Sequence, residues 1–383
     1  MGGGLMQLVA YGAQDIYLTG NPQITFFKAV YRRHTNFAME SVDQTLNGSL
    51  GVGSKQTATI SRNGDLVGRM YLEMKVTADA GDMNVGHNVI DSVEVQIGGQ
   101  QIDKQFGHWM EVWAELTEPN SAGSVGDMNP ANASGTRFQN LTGAGGCVAT
   151  SGAGANVCRV PLQFWFNRNP GLALPLIALQ YHEVKVMITY AGSDTGLTAT
   201  TAELWADYIY LDTDERRRFA QVSHEYLIEQ VQHTTGSSAS IDLNFNHPVK
   251  ELVWTGAITA NGGFRAGITD AKTKLVLNGH DRFAERDLEY FTQTQVWQHH
   301  TGTPVTSASG TAVGTGKAST TEVAVYSFAL KPEEHQPSGT CNFSRIDNAQ
   351  LKITGNGNET NVYAVNYNVL RVMSGMGGLA YSN

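Results

Sequence analysis

The sequence predicts an all-β fold of two consecutive, similar antiparallel sandwich domains behind an N-terminal arm. Three observations carry this. Apolar and polar residues alternate with period two in most apolar segments, Gly/Ala/Ser/Thr-rich stretches separate those segments, and the second half of the chain echoes the first in order. With 383 residues, 41% of them hydrophobic and 16% charged, the chain has the composition of a folded protein with at least one large core.

The arm comes first. Over residues 5–37, Tyr11, Tyr17, Phe26, Phe27 and Tyr31 are interrupted by Gly12, Gly20 and Pro22, while Leu5, Leu8 and Val9 hint at a short helix. So many apolar side chains outside a domain require a covering surface. Met70, Leu72, Met74 and Val76 then alternate with polar neighbours, as do Val93, Val95 and Ile97, and both read as half-buried strands. Trp109, Val112, Trp113 and Leu116 fall at i, i+3, i+4, i+7 and predict one short amphipathic helix. Strand periodicity returns at Val184, Val186, Ile188 and at Ile241, Leu243, Phe245, and residues 323–330 form a further β-rich run. Between the halves, Asp212, Asp214 and Glu215 read as a helix start, where acids meet the positive end of the dipole. The stretches 121–157, 192–202, 234–240 and 302–320 read as long exposed loops.

The repeat is a set of landmarks in common order. Arg62–Asn63 corresponds to Asn246–His247, and the Val95–Ile97 strand with its Gly98–Gly99 turn corresponds to Leu275–Leu277 with Asn278–Gly279, an offset of 180 from Ile97 to Leu277. Pro170 pairs with Pro337, Val184–Val186 with Leu351–Ile353, and Tyr208 with Tyr367, at offsets that fall as loops shorten. Two β-domains joined near residues 211–221 are the simplest source of such a series.

No catalytic constellation emerges. His182–Glu183 and His224–Glu225 begin H-E-x-x-H, but Val186 and Ile228 stand where the second histidines belong. No H-x-H pair supports a metal-dependent jelly-roll enzyme, and the adjacent His299 and His300 read as loop or surface histidines. Walker A, dinucleotide and nucleophile-elbow motifs are missing. With 26 basic against 35 acidic residues, a net charge of -9, the chain is poorly suited to sequence-independent binding of nucleic acid. Three cysteines, Cys147, Cys158 and Cys341, read as structural thiols of a reducing compartment. No secretory signal is expected, and the longest unbroken apolar run, residues 172–179, is far short of the roughly 20 residues of a membrane helix.

Several segments carry a family resemblance. Residues 8–15 (LVAYGAQD), 17–28 (YLTGNPQITFFK), 60–66 (ISRNGDL), 97–104 (IGGQQIDK), 170–184 (PGLALPLIALQYHEV), 339–348 (GTCNFSRIDN) and 366–381 (NYNVLRVMSGMGGLAY) resemble the major capsid proteins of nucleocytoplasmic large DNA viruses, particularly the algal, chlorovirus-like members. The resemblance implies a double jelly roll, each roll with eight main strands, divided as arm 1–36, first roll 37–212, linker 213–223 and second roll 224–383. It implies a structural subunit without cofactor, metal or catalytic residues. Homotrimers with a pseudo-hexagonal outline would tile an icosahedral outer shell assembled in the host cytoplasm. Neighbouring capsomers, minor capsid proteins and an internal membrane are the implied partners, with no direct nucleic-acid contact.

By the same analogy Leu5, Leu8, Tyr11, Tyr17, Phe26 and Phe27 are inner-capsid contacts, and Asn261, Asn356 and Asn358 resemble glycosylation sites. Bulky residues in turn-rich context make Phe106, Trp109, Trp113, Leu172 and Leu174 the expected trimer contacts. Two alternatives remain at this stage. One is a carbohydrate-binding jelly roll for host attachment, prompted by surface aromatics such as Trp297, and the other is a minor capsid paralogue at a special position.

Overall fold

The computed structural model describes residues 3–120, 126–128, 134–149, 155–192, 197–256, 272–302, 322–354 and 359–381. Met1–Asn36 forms a unit of its own. It contains α1 (Gly3–Val9) and α2 (Ile16–Thr19), and apart from Asp15, which accepts a 2.8 Å hydrogen bond from the Gly12 N–H, every described side chain in it is exposed.

The remainder, Phe37–Asn383, is one compact unit. Its first half contains β1 (Phe37–Gln44), β2 (Leu46–Asn47), β3 (Lys55–Thr59), β4 (Leu66–Thr77), α3 (Val85–Asn88), β5 (Ile90–Ile97), β6 (Gln100–Phe106) and α4 (Gly107–Thr117). These are followed by β7 (Gly126–Asp127), α5 (Arg137–Thr142), β8 (Cys147–Val148), β9 (Ala155–Pro161), α6 (Trp165–Arg168), β10 (Val184–Tyr190) and β11 (Thr198–Leu211). After α7 (Thr213–Gln221), capped by the Asp212 carboxylate, the second half contains β12 (His224–Gly236), β13 (Ser240–Asp242), β14 (Pro248–Gly256), β15 (Lys272–Leu277), β16 (His280–Asp281) and β17 (Arg286–Asp287). A helical stretch follows, a π turn at Tyr290–Thr294 running into α8 (Gln295–His299), and then β18 (Val323–Ser327), β19 (Cys341–Asn342), β20 (Ala349–Thr354), β21 (Thr360–Met373) and β22 (Met376–Leu379).

The strands pair into two sandwiches of one design, a double jelly roll. The first has sheets ordered β1-β11-β4-β9 and β2-β3-β10-β5-β6, and the second β12-β21-β14-β18 and β13-β20-β15-β16. Position by position, β1, β11, β4 and β9 correspond to β12, β21, β14 and β18. The sequence echo is strongest at the β5–β6 and β15–β16 hairpins. Gly98 and Gly99 have φ of 59° and 83°, and Asn278 and Gly279 have 49° and 80°. Both central residues of each turn are left-handed, as a two-residue type I′ hairpin requires, and Asn is the non-glycine residue that tolerates this best.

Two of the equivalences shift. The ladders set Val184 opposite Ile97 and Ala349 opposite Leu277, so Val184 matches Ala349 rather than Leu351. A two-residue slip preserves which face each side chain occupies, so alternation alone could not detect it. Tyr208 packs in the first core, whereas Tyr367 lies on the opposite face of its sheet beside Lys250, so these tyrosines are not counterparts although their strands are.

Alternation places the cores as expected. Met70, Leu72, Met74, Val76, Val93, Val95 and Ile97 are buried in the first, with Val184, Val186 and Ile188 opposite them. Ile241 begins the second core, and although β13 ends at Asp242, Leu243 and Phe245 stay buried as the chain leaves the sheet. The expected loop at 192–202 is shorter than read, because β11 begins at Thr198. α4 is buried on every side, Glu111 and Glu115 included, rather than along one stripe.

Candidate functional site

The most elaborate chemistry lies where the two rolls meet. α4 follows β6 of the first roll and lays Trp109, Val112, Trp113 and Leu116 on the outer face of the β12-β21-β14-β18 sheet, against Val253, Val325, Tyr363 and Val365. Neighbouring residues Leu252, Trp254, Val362 and Ala364 of the same strands point the other way, into the second core. That sheet is therefore covered on both faces, which explains why nearly all of β14 and β21 is buried despite antiparallel pairing. The Trp109 ring lies 5.0 Å from Tyr363 and 5.6 Å from Trp113, and the Tyr363 hydroxyl and the His108 Nδ1 are 2.9 Å apart. Burial, with the nearby His233 adding to it, holds His108 down to about 3, so the ring is neutral.

Beside this aromatic patch runs a buried ionic chain. Arg168, at the end of α6, donates to Glu229 of β12 at 2.8 Å; Lys250 Nζ sits 3.0 Å and His335 Nδ1 3.3 Å from the other Glu229 oxygen. Burial works to raise the Glu229 carboxyl, but Arg168, His335 and Lys250 outweigh it and hold the group at about 2. The Arg168 guanidinium also covers the Trp113 ring at 5.1 Å, and the Lys250 ammonium lies 5.6 Å from the Tyr367 ring centre. A second cluster centres on His300, 3.1 Å from Glu251 and 3.0 Å from Glu333. Burial would lower this imidazole, but the two carboxylates raise it to about 9, so it is a buried cation at neutral pH. The expectation of a loop or surface histidine fails for His300, because the helical stretch 290–299 turns it inward onto β14; its neighbour His299 stays partly exposed and meets the Leu330 carbonyl.

Backbone contacts complete the junction. Gln230 Nε2 donates to the Ile102 carbonyl, and the Val231 N–H donates to Asp103 at 3.1 Å. Burial raises Asp103 to about 6 despite the hydrogen bonds it accepts from Val231 and Gln105. The β21–β22 hairpin reaches back to the first roll, with the Tyr181 N–H donating to the Gly375 carbonyl at 2.9 Å and His182 meeting the Gly377 carbonyl at 2.9 Å. A Cβ at Gly377 would lie 2.6 Å from a Leu179 methyl and 3.1 Å from Ile97, so a larger residue there would have to displace buried side chains.

The expected site residues divide sharply. Trp109, at 2% exposure, Trp113 and Leu174 are buried within the chain and offer a neighbouring copy almost no area. The spacing located the helix of the first two correctly, but its apolar face is spent on the chain's own second roll. Phe106 and Leu172 are partly exposed. In the arm, Leu5, Leu8, Tyr11, Tyr17, Phe26 and Phe27 are all exposed, Phe27 to 97%. Asn261, Asn356 and Asn358 lie outside the described residues. Among the described residues no cluster of three or more His, Cys, Asp or Glu has the arrangement of a metal site. Sequence reading missed the ionic chain, though its signal was there: Lys250 and Glu251 stand side by side in the otherwise apolar run of β14.

Known proteins resemble the chain along its whole length. A family profile for the major capsid protein N-terminus matches residues 25–212, and one for the large eukaryotic DNA virus major capsid protein matches residues 215–378. The chain is 55% identical to the major capsid protein of Pyramimonas orientalis virus over 404 aligned positions and 42% identical to that of Paramecium bursaria Chlorella virus 1 over 468, covering 100% of both chains in each comparison. Among solved structures, the PBCV-1 virus capsid superimposes with a TM-score of 0.74 at 38% identity, covering 94% of this chain and 100% of the other. The Faustovirus major capsid protein superimposes with a TM-score of 0.65 at 12% identity, covering 95% of this chain and 94% of the other, a likeness of fold. With both rolls matched and full-length identity this high, the chain belongs to the family of large eukaryotic DNA virus major capsid proteins.

Proposed function

We propose that the chain is a structural subunit of the icosahedral outer shell of a large DNA virus, and that three copies form a pseudo-hexagonal capsomer. The observation that carries this reading is the duplication: two rolls of one strand order are joined through a buried junction, so three copies supply six similar wedges to a hexagonal lattice. Assignment of residues 1–36 to an arm, 37–212 to a first roll, 213–223 to a linker and 224–383 to a second roll belongs to this reading. So does placement in the virion after assembly in the host cytoplasm. The uniformly exposed apolar side chains of the arm support a role in contacts with minor capsid proteins or an internal membrane, with Leu5, Leu8, Tyr11, Tyr17, Phe26 and Phe27 as the contact set. Phe106 and Leu172 retain enough surface for copy-to-copy contact, while Trp109, Trp113 and Leu174 act by shaping the subunit. Glycans at Asn261, Asn356 or Asn358 are part of the same reading.

Light scattering on size-exclusion fractions of purified protein, with electron microscopy of the peak, tests it. A mass of about three chains with a six-sided outline is expected from closed three-fold association. A stable monomer that binds glycans would overturn it in favour of an attachment lectin.

A further inference from the structure

The junction inside the chain points to the chemistry of the contact between chains. The two hairpins align at an offset of 180, and beyond them the ladder sets Phe106 opposite Ser92 and Asp287 opposite Lys272, so the offset becomes 181 where the helices begin. At that offset the docking set of α4, Trp109, Val112, Trp113 and Leu116, corresponds to Tyr290, Gln293, Thr294 and Trp297. The spacing i, i+3, i+4, i+7 is preserved, yet here the face beyond Tyr290, which packs half-buried against the second core, is turned to solvent. Gln293 and Thr294 are exposed and Trp297 is 82% exposed, while the opposite face, Phe291, Thr292, Gln295 and Val296, is buried, Phe291 in the second core and Val296 in the cluster around α4. Just before this helical stretch stand the exposed Glu289, Asp287, which lies 3.8 Å from Lys272, and Arg286, whose guanidinium covers the Tyr290 ring at 4.2 Å.

The sheet that α4 covers also has a counterpart. It is β1-β11-β4-β9, whose outer face carries Tyr71 stacked on Trp205 with ring centres 6.3 Å apart and planes within 7°. Beside Tyr71 opens a cleft of about 440 Å³ lined by Arg69, Arg159, Arg168 and Asp207 among its charged residues, a net positive set. Arg159 and Arg168 already pair with Glu73 and Glu229, whereas the exposed Arg69 has no ion-pair partner among the described residues. One surface is a helix with a projecting indole, and the other is a sheet face with an aromatic pair, on which Arg69, Lys75 and Arg159 stand among Asp43, Glu73, Glu203 and Asp207. Their places in the two rolls match those of the surfaces already joined within the chain.

We propose that the Tyr290–Gln293–Thr294–Trp297 face of one copy docks on the outer face of the β1-β11-β4-β9 sheet of a second copy, with Trp297 as the anchor between the Tyr71–Trp205 stack and Arg69. The contact between chains thus repeats in more polar form the one that α4 makes within a chain. This inference rests on the capsomer reading and deepens it by naming the surfaces. Sedimentation equilibrium on the full chain tests it with Trp297→Ala, Arg69→Ala and the double variant. Because both side chains are exposed, the urea midpoint of the monomer serves as the folding control. Each single substitution is expected to weaken association at least about tenfold, as anchors at interface centres do, and the double to weaken it by less than the product of the two, as contacting residues do. Wild-type trimers with either single variant associating normally, or with fully multiplicative losses, would overturn this inference and leave the capsomer reading standing. A wild-type chain that stays monomeric would overturn both.

Discussion

Replacing Trp109 by alanine is the sharpest probe of the junction, because this side chain belongs to the first roll and packs on the second. At 2% exposure nearly all of its surface is withdrawn from water. A buried aromatic side chain of this size removes about 150–250 Å² from solvent, which at about 25 cal/mol per Å² is worth about 4–6 kcal/mol. Measured Trp→Ala costs of about 3–5 kcal/mol agree, so about 4 kcal/mol is expected here. Rings at 5.0 Å and 5.6 Å on either side leave the cavity walled by Tyr363 and Trp113, which are themselves packed and cannot collapse into it. The loss falls on the contact between rolls, so the unfolding transition should also broaden or separate into two. Urea denaturation followed by tryptophan fluorescence and far-ultraviolet circular dichroism reads both effects, with Trp297→Ala, measured on the monomer, as the exposed control expected to change stability by less than about 0.5 kcal/mol. A destabilisation below about 1 kcal/mol for Trp109→Ala, with coincident single transitions, would refute the view that α4 joins the rolls.

Three further outcomes follow from the buried charges. Raised to about 9, the folded-state pKa of His300 exceeds its unfolded value, so its stabilisation is fully present below about 6.5 and is lost as pH rises through 9. His300→Gln should abolish that alkaline loss of stability, on the order of 3 kcal/mol for a shift of this size, and an unchanged stability profile between pH 6 and 10 would count against it. Glu229→Ala leaves Arg168 and Lys250 without their shared carboxylate and should cost about 3–5 kcal/mol in chemical denaturation; a loss under 1 kcal/mol would show the chain to be dispensable. Asp103 is raised to about 6, so its stabilising effect is present below about 3.8 and fades as pH climbs through 6. Asp103→Asn keeps an oxygen for the Val231 N–H and should make the protein more stable at pH 7 than at present, by up to about 3 kcal/mol; a net loss at pH 7 would show that the ionised carboxylate is needed.

The strands, the α4 helix and the duplication were legible from local patterns. Val93, Val95 and Ile97 had to share a face because successive strand residues alternate, and Gly98–Gly99 and Asn278–Gly279 had to turn because few other residues accept two consecutive left-handed positions. Periodicity also reported that Trp109 and Trp113 would be covered. What covers them is a different matter, since a period states that a face is buried and is silent about its partner. Only the tertiary structure set that face on β14, β18 and β21, and so moved both residues from the expected contact between chains to a contact within one. The same holds for His300 and Glu229. Their charge states depend on Glu251, Glu333, Arg168 and Lys250, brought together from distant strands and loops, because electrostatic energies depend on distance and burial in space and leave no period along the chain.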